Sequence, residues 1–346
     1  MIVVFLVGYL AIALEHPLKI DKGASALILG VLTWTFYVLS GADPHHVEEG
    51  LMGHLGEISS ILFFLMGAMT IVETVDSYHG FAIITKRITT TNKVKLLWII
   101  SVLTFFFSAV LDNLTTTIVM VSLLRKLVDD RNTRMFYVGM VVIAAYAGGA
   151  WSPIGDVTTT MLWIGNQLTT MGIITRIFFP SLVVLLVPLG FMSFRLKGNI
   201  KRPVIEDNDA DYISPAAQKL VFFMGIGGLL FVPIFKTYTH LPPFMGMMLS
   251  LGILWLTVEV LNNKKVEEHK SIININGILK KIDTASVLFF LGILLGVAAL
   301  EEAGFLTIVA TYLRDTLGNV YSINFTIGLI SAIIDNVPLV AGSMGM

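Results

Sequence analysis

The chain has 346 residues, 55 % of them hydrophobic and 14 % charged, with a net charge of -1 and a mean hydropathy of +0.82. Soluble domains are about 25 % charged, so an ordinary soluble domain is excluded, and with no concentrated basic face so is a nucleic-acid binder. The lack of cysteine excludes disulfides and thiolate metal sites.

Apolar runs near the roughly 20 residues needed to span a bilayer recur from end to end, which predicts one polytopic, all-α transmembrane domain over 1–346. The N-terminus has no basic stretch and no Ala-x-Ala site, so it does not read as a removable signal peptide. Residues 1–14 are apolar but short, a tilted or partial span ended by His16-Pro17. A span follows over 24–40. Residues 41–54 read as a loop with Asp43, Glu48, Glu49 and three histidines, His45, His46 and His54. The span 58–72 leads to Glu73 and Asp76. Residues 80–88 are short and amphipathic, an interfacial stretch surrounded by Lys86, Arg87, Lys93 and Lys95.

The segment 96–127 is too long for one span and too short for two comfortable ones. It reads as a helical hairpin that enters and leaves on the same side, with Asp112-Asn113 at its tip and basic residues at both bases. A span begins at 135–147, breaks over Gly148-Gly149-Ala150-Trp151-Ser152-Pro153-Ile154-Gly155-Asp156, and resumes over 158–164. Residues 173–194 are a span and 196–219 a charged cytoplasmic loop. Spans 220–235 and 244–261, a second charged loop at 262–283 and a span at 284–300 follow. Residues 305–317 are amphipathic, and 323–334 lead to Asp335-Asn336. With the Lys19 loop in the cytoplasm, this threading puts all but Arg176, Lys236 and Arg314 of the 23 lysines and arginines inside, as the positive-inside rule requires.

The chain repeats itself. Ser108-Ala109-Val110-Leu111-Asp112-Asn113 returns as Ser331-Ala332-Ile333-Ile334-Asp335-Asn336, and Ser60-Ile61-Leu62-Phe63-Phe64-Leu65 as Ser286-Val287-Leu288-Phe289-Phe290-Leu291. The spacing from opening serine to aspartate is 52 residues in the first copy and 49 in the second. The threading runs the two opening spans in opposite directions. Units 56–195 and 284–346 are thus expected to be inverted repeats with broken helices, the build of secondary transporters. The second unit has no counterpart of the break at Asp156, so further C-terminal sequence, about two to four helices, is expected.

A carboxylate in the bilayer core costs about 2.5–3.5 kcal/mol on translocon scales and is usually functional. Asp112 at a hairpin tip can hold a proton or a cation but not both, the simplest chemistry of exchange. Ser108, Asn113, Thr115 and Thr116 add the uncharged oxygens that hard cations favour. The second break supplies Gly149, Ser152, Asp156, Thr158 and Thr159, with unwound carbonyls tolerated only where backbone lines a cavity or is buried. Asp335 and Asn336 are expected to pair with Asp112 and Asn113 across the pseudo-symmetry. A sodium ion would be shared by Asp112, Asn113, Asp156, Asp335 and Asn336, with Glu73 as a candidate on the proton path. Asp112 and Asp156 also read as helix N-caps, and the histidines as solvated surface groups.

These motifs, Ser-Ala-x-x-Asp-Asn-x-Thr-Thr-Thr at 108–117, Gly-Gly-Ala-Trp-Ser-Pro-Ile-Gly-Asp-x-Thr-Thr at 148–159 and Leu-Ala-Ile-Ala-Leu-Glu-His-Pro-Leu-Lys-Ile-Asp-Lys at 10–22, resemble those of NhaD-type sodium/proton antiporters. The wider ion transporter superfamily also holds arsenite pumps and dicarboxylate and citrate carriers. The resemblance implies exchange of sodium or lithium for protons by a homodimer in a bacterial plasma membrane, with no cofactor. It carries site roles to Ser108, Asp112, Asn113, Asp156, Thr158, Thr159, Ser331, Asp335 and Asn336. An organic-anion carrier of the same superfamily resembles the chain too but has neutral Ser-Asn-Thr tips, whereas aspartates at both tips favour a cation. An arsenite carrier shares the Asp-Asn pattern. An intramembrane aspartyl protease also needs two embedded aspartates, and Ile154-Gly155-Asp156 faintly matches its Gly-Asp motif, yet it predicts no inverted repeat.

Overall fold

The computed structural model describes residues 1–85, 87–201, 213–263, 275–331 and 336–344. Helices in chain order are α1 (Ile2–Ala13), α2 (Glu15–Leu18), α3 (Lys22–Leu39), α4 (Pro44–Ser77), α5 (Ala82–Thr85), α6 (Lys93–Leu111), α7 (Asn113–Leu127), α8 (Arg131–Ala150), α9 (Val157–Ile164), α10 (Thr170–Arg195), α11 (Pro215–Thr239) and α12 (Pro243–Asn263). They continue as α13 (Ile275–Leu279), α14 (Thr284–Glu302), α15 (Phe305–Leu317), α16 (Val320–Ser331) and α17 (Asn336–Met344). Eight of these, α3, α4, α6, α8, α10, α11, α12 and α14, are long and apolar enough to cross a membrane. Among the described residues there is no strand, only an isolated bridge between Asn92 and Asn199. The protein is an all-α, multi-pass membrane protein.

Two expectations change. The loop expected at 41–54 is helical: α4 starts at Pro44, whose fixed φ suits a first helical residue, and runs 34 residues to Ser77. The break expected from Gly148 begins later, because Gly148 and Gly149 lie inside α8, which ends at Ala150. The segment expected to be a hairpin folds as two helices, α6 of 19 residues and α7 of 15, separated by Asp112 alone.

Contacts divide the chain into two compact units, Met1–Leu65 with Asp283–Met346, and Met66–Ile282. The first is built on α3 against α14. A Cβ on Gly30 would lie 2.5 Å from the Gly292 carbonyl oxygen, and one on Gly292 would lie 2.5 Å from the Ala26 oxygen. Gly296 makes the same allowance for Leu29. Gly292 and Gly296 form the small-xxx-small spacing that lets membrane helices approach backbone to backbone, where packing must replace the hydrophobic effect. The Trp34 indole donates to the Leu295 carbonyl at 2.9 Å and fixes the register.

The second unit is built on α6, α7, α8 and α10. Leu96, Leu97, Ile100 and Phe105 of α6 are buried against Tyr137, Met140, Val141 and Ala144 of α8. The strand-like segment after α10 docks on the base of this group, with Lys93 donating its amide to Gly198 and Ile200 to Thr91. At the other end α6 and α8 touch through Gly148, whose Cβ would sit 2.1 Å from the Phe105 carbonyl oxygen. Backbone cannot yield to such an overlap, and overpacking typically costs 1–3 kcal/mol. Gly148→Ala should therefore lower the melting temperature of the detergent-purified protein by several degrees. Gly139→Ala, on the same helix with open space around it, should leave it unchanged or raise it.

Candidate cation and proton site

Two chain breaks lie side by side in the second unit, and an aspartate stands at each. The first is a single residue wide. Asp112 separates α6 from α7 with φ 73° and ψ 161°, a region of backbone space that is nearly glycine's alone and costs about 1–3 kcal/mol for other residues. Its carboxylate repays part of that cost locally: Oδ1 accepts from the Thr115 amide at 2.8 Å and Oδ2 from the Thr115 hydroxyl at 2.7 Å. The second break runs from Trp151 to Asp156. Asp156 Oδ1 accepts from the Thr158 amide at 2.9 Å and the Thr158 hydroxyl at 2.7 Å, and so caps α9. The capping alternative is thus correct for both aspartates. Each places negative charge at the positive end of a helix, where it is favoured.

One side chain ties the breaks together. Asn113 Nδ2 donates to Asp156 Oδ2 at 2.5 Å. The backbones are in contact as well. A Cβ on Gly155 would lie 2.6 Å from the Ser108 carbonyl oxygen, and one on Gly149 would lie 2.4 Å from the Gly155 oxygen. Glycine at 149 and 155 therefore lets the second break nest against the end of α6. Ser108 closes the group by donating its hydroxyl to the Ala145 carbonyl of α8 at 2.6 Å. Ser152 accepts from the Ile154 amide at 3.3 Å within the break, and Thr159 donates to the Asp156 carbonyl at 3.0 Å. Ser108, Gly149, Ser152 and Thr116 are buried, while Asp112, Asn113, Thr115, Asp156, Thr158 and Thr159 are half-buried.

Thr116, one helical turn beyond Asp112, differs from its neighbours. It is fully buried, and its hydroxyl has no hydrogen-bond partner among the described residues. Buried polar groups are nearly always satisfied, and an exception calls for a cause. A hydroxyl oxygen left open one turn from a capping carboxylate suits a hard cation.

Glu73 pairs with Lys281 at 3.1 Å and accepts from the Ser77 hydroxyl at 3.3 Å. Asp335 lies outside the described residues. Asn336 opens α17 and accepts the Ser331 hydroxyl at 2.6 Å, within the first unit. Of the histidines read as solvated, two meet one acid in that unit: His46 Nε2 is 3.4 Å from Glu302 Oε1, and His54 Nε2 is 3.2 Å from Oε2.

Sequence reasoning missed two supports of the site. Trp151 packs within 5.1 Å of Phe178 and 6.0 Å of Phe105, ring centre to centre, and walls the second break. Lys236 of α11 donates to the Trp163 carbonyl at 2.6 Å and lies over the Trp163 ring at 4.6 Å, so a cation closes the C-terminal end of α9. A single lysine near the end of an otherwise apolar span was the available signal.

Thr116→Val tests the open hydroxyl independently of transport. Removing an unsatisfied buried polar atom without changing shape should hold or raise stability, by up to about 1–3 kcal/mol. Thermal unfolding of the purified variant reads this, and a loss of stability would show that the hydroxyl has a structural partner.

A family model described as citrate transporter matches residues 9–346. Aligned over its whole length, the chain is 46 % identical to "Sodium/proton antiporter 1" of Arabidopsis thaliana, of which it spans 60 %. It is 44 % identical to "Sodium/proton antiporter 2" of the same plant, spanning 82 % of that protein. It is 30 % identical to "Na(+)/H(+) antiporter NhaD" of Alkalimonas amylolytica, spanning 76 %.

Proposed function

The chain belongs to the citrate transporter family CitMHS and, within it, to the NhaD-type antiporters, and we propose that it exchanges sodium or lithium for protons across a membrane. The observation that carries this reading is the pair of linked breaks. Two carboxylates, Asp112 and Asp156, are brought together by Asn113, and the open Thr116 hydroxyl lies one turn from Asp112. Anionic and neutral oxygens gathered at helix ends suit a small cation, and carboxylates that bind it can take protons in its place. A citrate-sized trianion would meet two aspartates of its own sign. The relatives' names point the same way. The reading is of transport, with no covalent chemistry assigned to any residue.

In this account Asp112 and Asp156 exchange proton for cation, Asn113 couples them, and Ser108, Gly149, Ser152, Thr115, Thr158 and Thr159 hold the breaks in shape. Asp335 and Asn336 form the matching tip of an inverted second repeat, units 56–195 and 284–346. Its support is the sequence echo and the fact that the asparagine of each Asp-Asn pair is the first residue of a helix, α7 and α17. Re-entry of the first tip from the cytoplasmic side follows from the charge distribution. Glu73, paired with Lys281, lies on the proton path. The reading also includes a homodimer and an energised membrane, in the first instance the bacterial plasma membrane.

Vesicles holding an acid interior test the function. Sodium or lithium chloride added outside should collapse the gradient in the native protein, read by a pH-sensitive dye. Asp112→Asn should abolish the response, and Thr116→Val should weaken the apparent sodium affinity while keeping the maximal rate. If citrate or arsenite drives the response and sodium does not, or if Asp112→Asn is as active as the native protein, the reading fails. Light scattering of the purified protein reads the dimer.

A further inference from the structure

The interfacial stretch singled out in the sequence forms one wall of a groove that the transport site does not use. The groove has a volume of 830 Å³ and lies between α5, the following loop, the first half of α6 and α11. Its long wall is apolar, with Ile84, Ile99, Val102, Leu103 and Phe223 lining it. From Lys95 to Leu103 it follows α6 for nine residues, about 12 Å at the helical rise. Two cations, Arg87 and Lys95, also line it, with Thr89 and Thr90. Both cations are exposed, and neither pairs with an acid among the described residues. Trp98 lies beside them, half in the groove, with its indole donating to Ser193 at 2.9 Å.

We propose that this groove binds an anionic phospholipid of the surrounding bilayer, headgroup phosphate on Arg87 and Lys95, acyl chain along α6. Three features select that occupant. The cations lie at the start of α6 and the apolar wall runs away from them along the helix, the polarity of a lipid entering from an interface. Tryptophan at that boundary is the usual marker of headgroup depth. The loop charges put this end of α6 in the cytoplasm, and the cytoplasmic leaflet is the anionic one, where basic pockets between spans take headgroups. A free phosphate would leave the apolar wall uncovered, and a zwitterionic lipid would gain less from two unpaired cations. The site stands apart from the antiport reading and does not depend on it.

Native mass spectrometry of the detergent-purified chain, titrated with phosphatidylglycerol or phosphatidylcholine of matched acyl chains, tests the proposal. The native protein should retain phosphatidylglycerol preferentially. Each of Arg87→Ala and Lys95→Ala should lower its apparent affinity about fivefold, and the pair about 25-fold. Val102→Trp, which fills the wall and leaves both charges, should also displace the lipid. Lys201→Ala, which removes an exposed cation outside the groove, should not. Equal retention of the two lipids, native retention by the double variant, an equal loss in Lys201→Ala, or binding of glycerol phosphate as tightly as the whole lipid would overturn it.

Discussion

A helix that breaks inside hydrocarbon exposes amide donors that have no water to bond. Both breaks in the second unit satisfy their freed amides in the same way, with an aspartate that caps the helix restarting after it. Asp112 bonds the Thr115 amide and Asp156 the Thr158 amide. In the proposed function the capping oxygens are also the charges that exchange proton for cation. A neutral cap such as serine would satisfy the amides equally well but would hold neither proton nor cation. Use of the carboxylate for both purposes couples the shape of each break to its charge. Whatever neutralises Asp112 or Asp156, proton or ion, acts on the residue that holds the helix end in place.

The second requirement is proximity. Packing, not water, drives helices together in lipid, so the approach distance rests on the smallest residues. In the second unit, Gly148 admits Phe105 and Gly155 admits Ser108. The Asn113 bridge to Asp156 depends on that nesting, since an amide side chain reaches only the adjacent break. In the first unit Gly30, Gly292 and Gly296 do the same for α3 and α14. Glycine seams give each unit a closely packed frame, and in the second unit that frame stands beside two breaks capped by single side chains.

The sequence was legible where apolar length and polar interruption decide the outcome. The bounds 305–317 coincide with α15, and most expected spans match helices within a few residues. Asp112 and Asp156 stood out because a carboxylate in greasy sequence is costly, and their neighbours Asn113, Thr115 and Thr158 are its contacts. The errors have physical causes. Gly148 and Gly149 look like breakers, but in lipid a helical glycine is a packing surface, and the break falls at Trp151 with Pro153 behind it. Residues 41–54 are polar and read as a loop, yet their helix emerges as the extension of a long span from Pro44. The union of His46 and His54 with Glu302 joins positions about 250 residues apart, which no local pattern discloses. Nor could sequence order reveal that Thr116, among three adjacent threonines, is the one without a hydrogen-bond partner among the described residues, whereas Thr115 and Thr117 bond Asp112 and Asn113.

The central claim is that cation and proton compete for the same carboxylates. Calorimetric titration of sodium into the purified protein, repeated at several pH values in two buffers of different ionisation enthalpy, measures that competition directly. The account predicts that sodium binding releases a proton, so that the observed heat depends on the buffer and the affinity falls about tenfold per pH unit once the site is protonated. A sodium affinity that is the same at every pH, with a heat that is the same in both buffers, would contradict it.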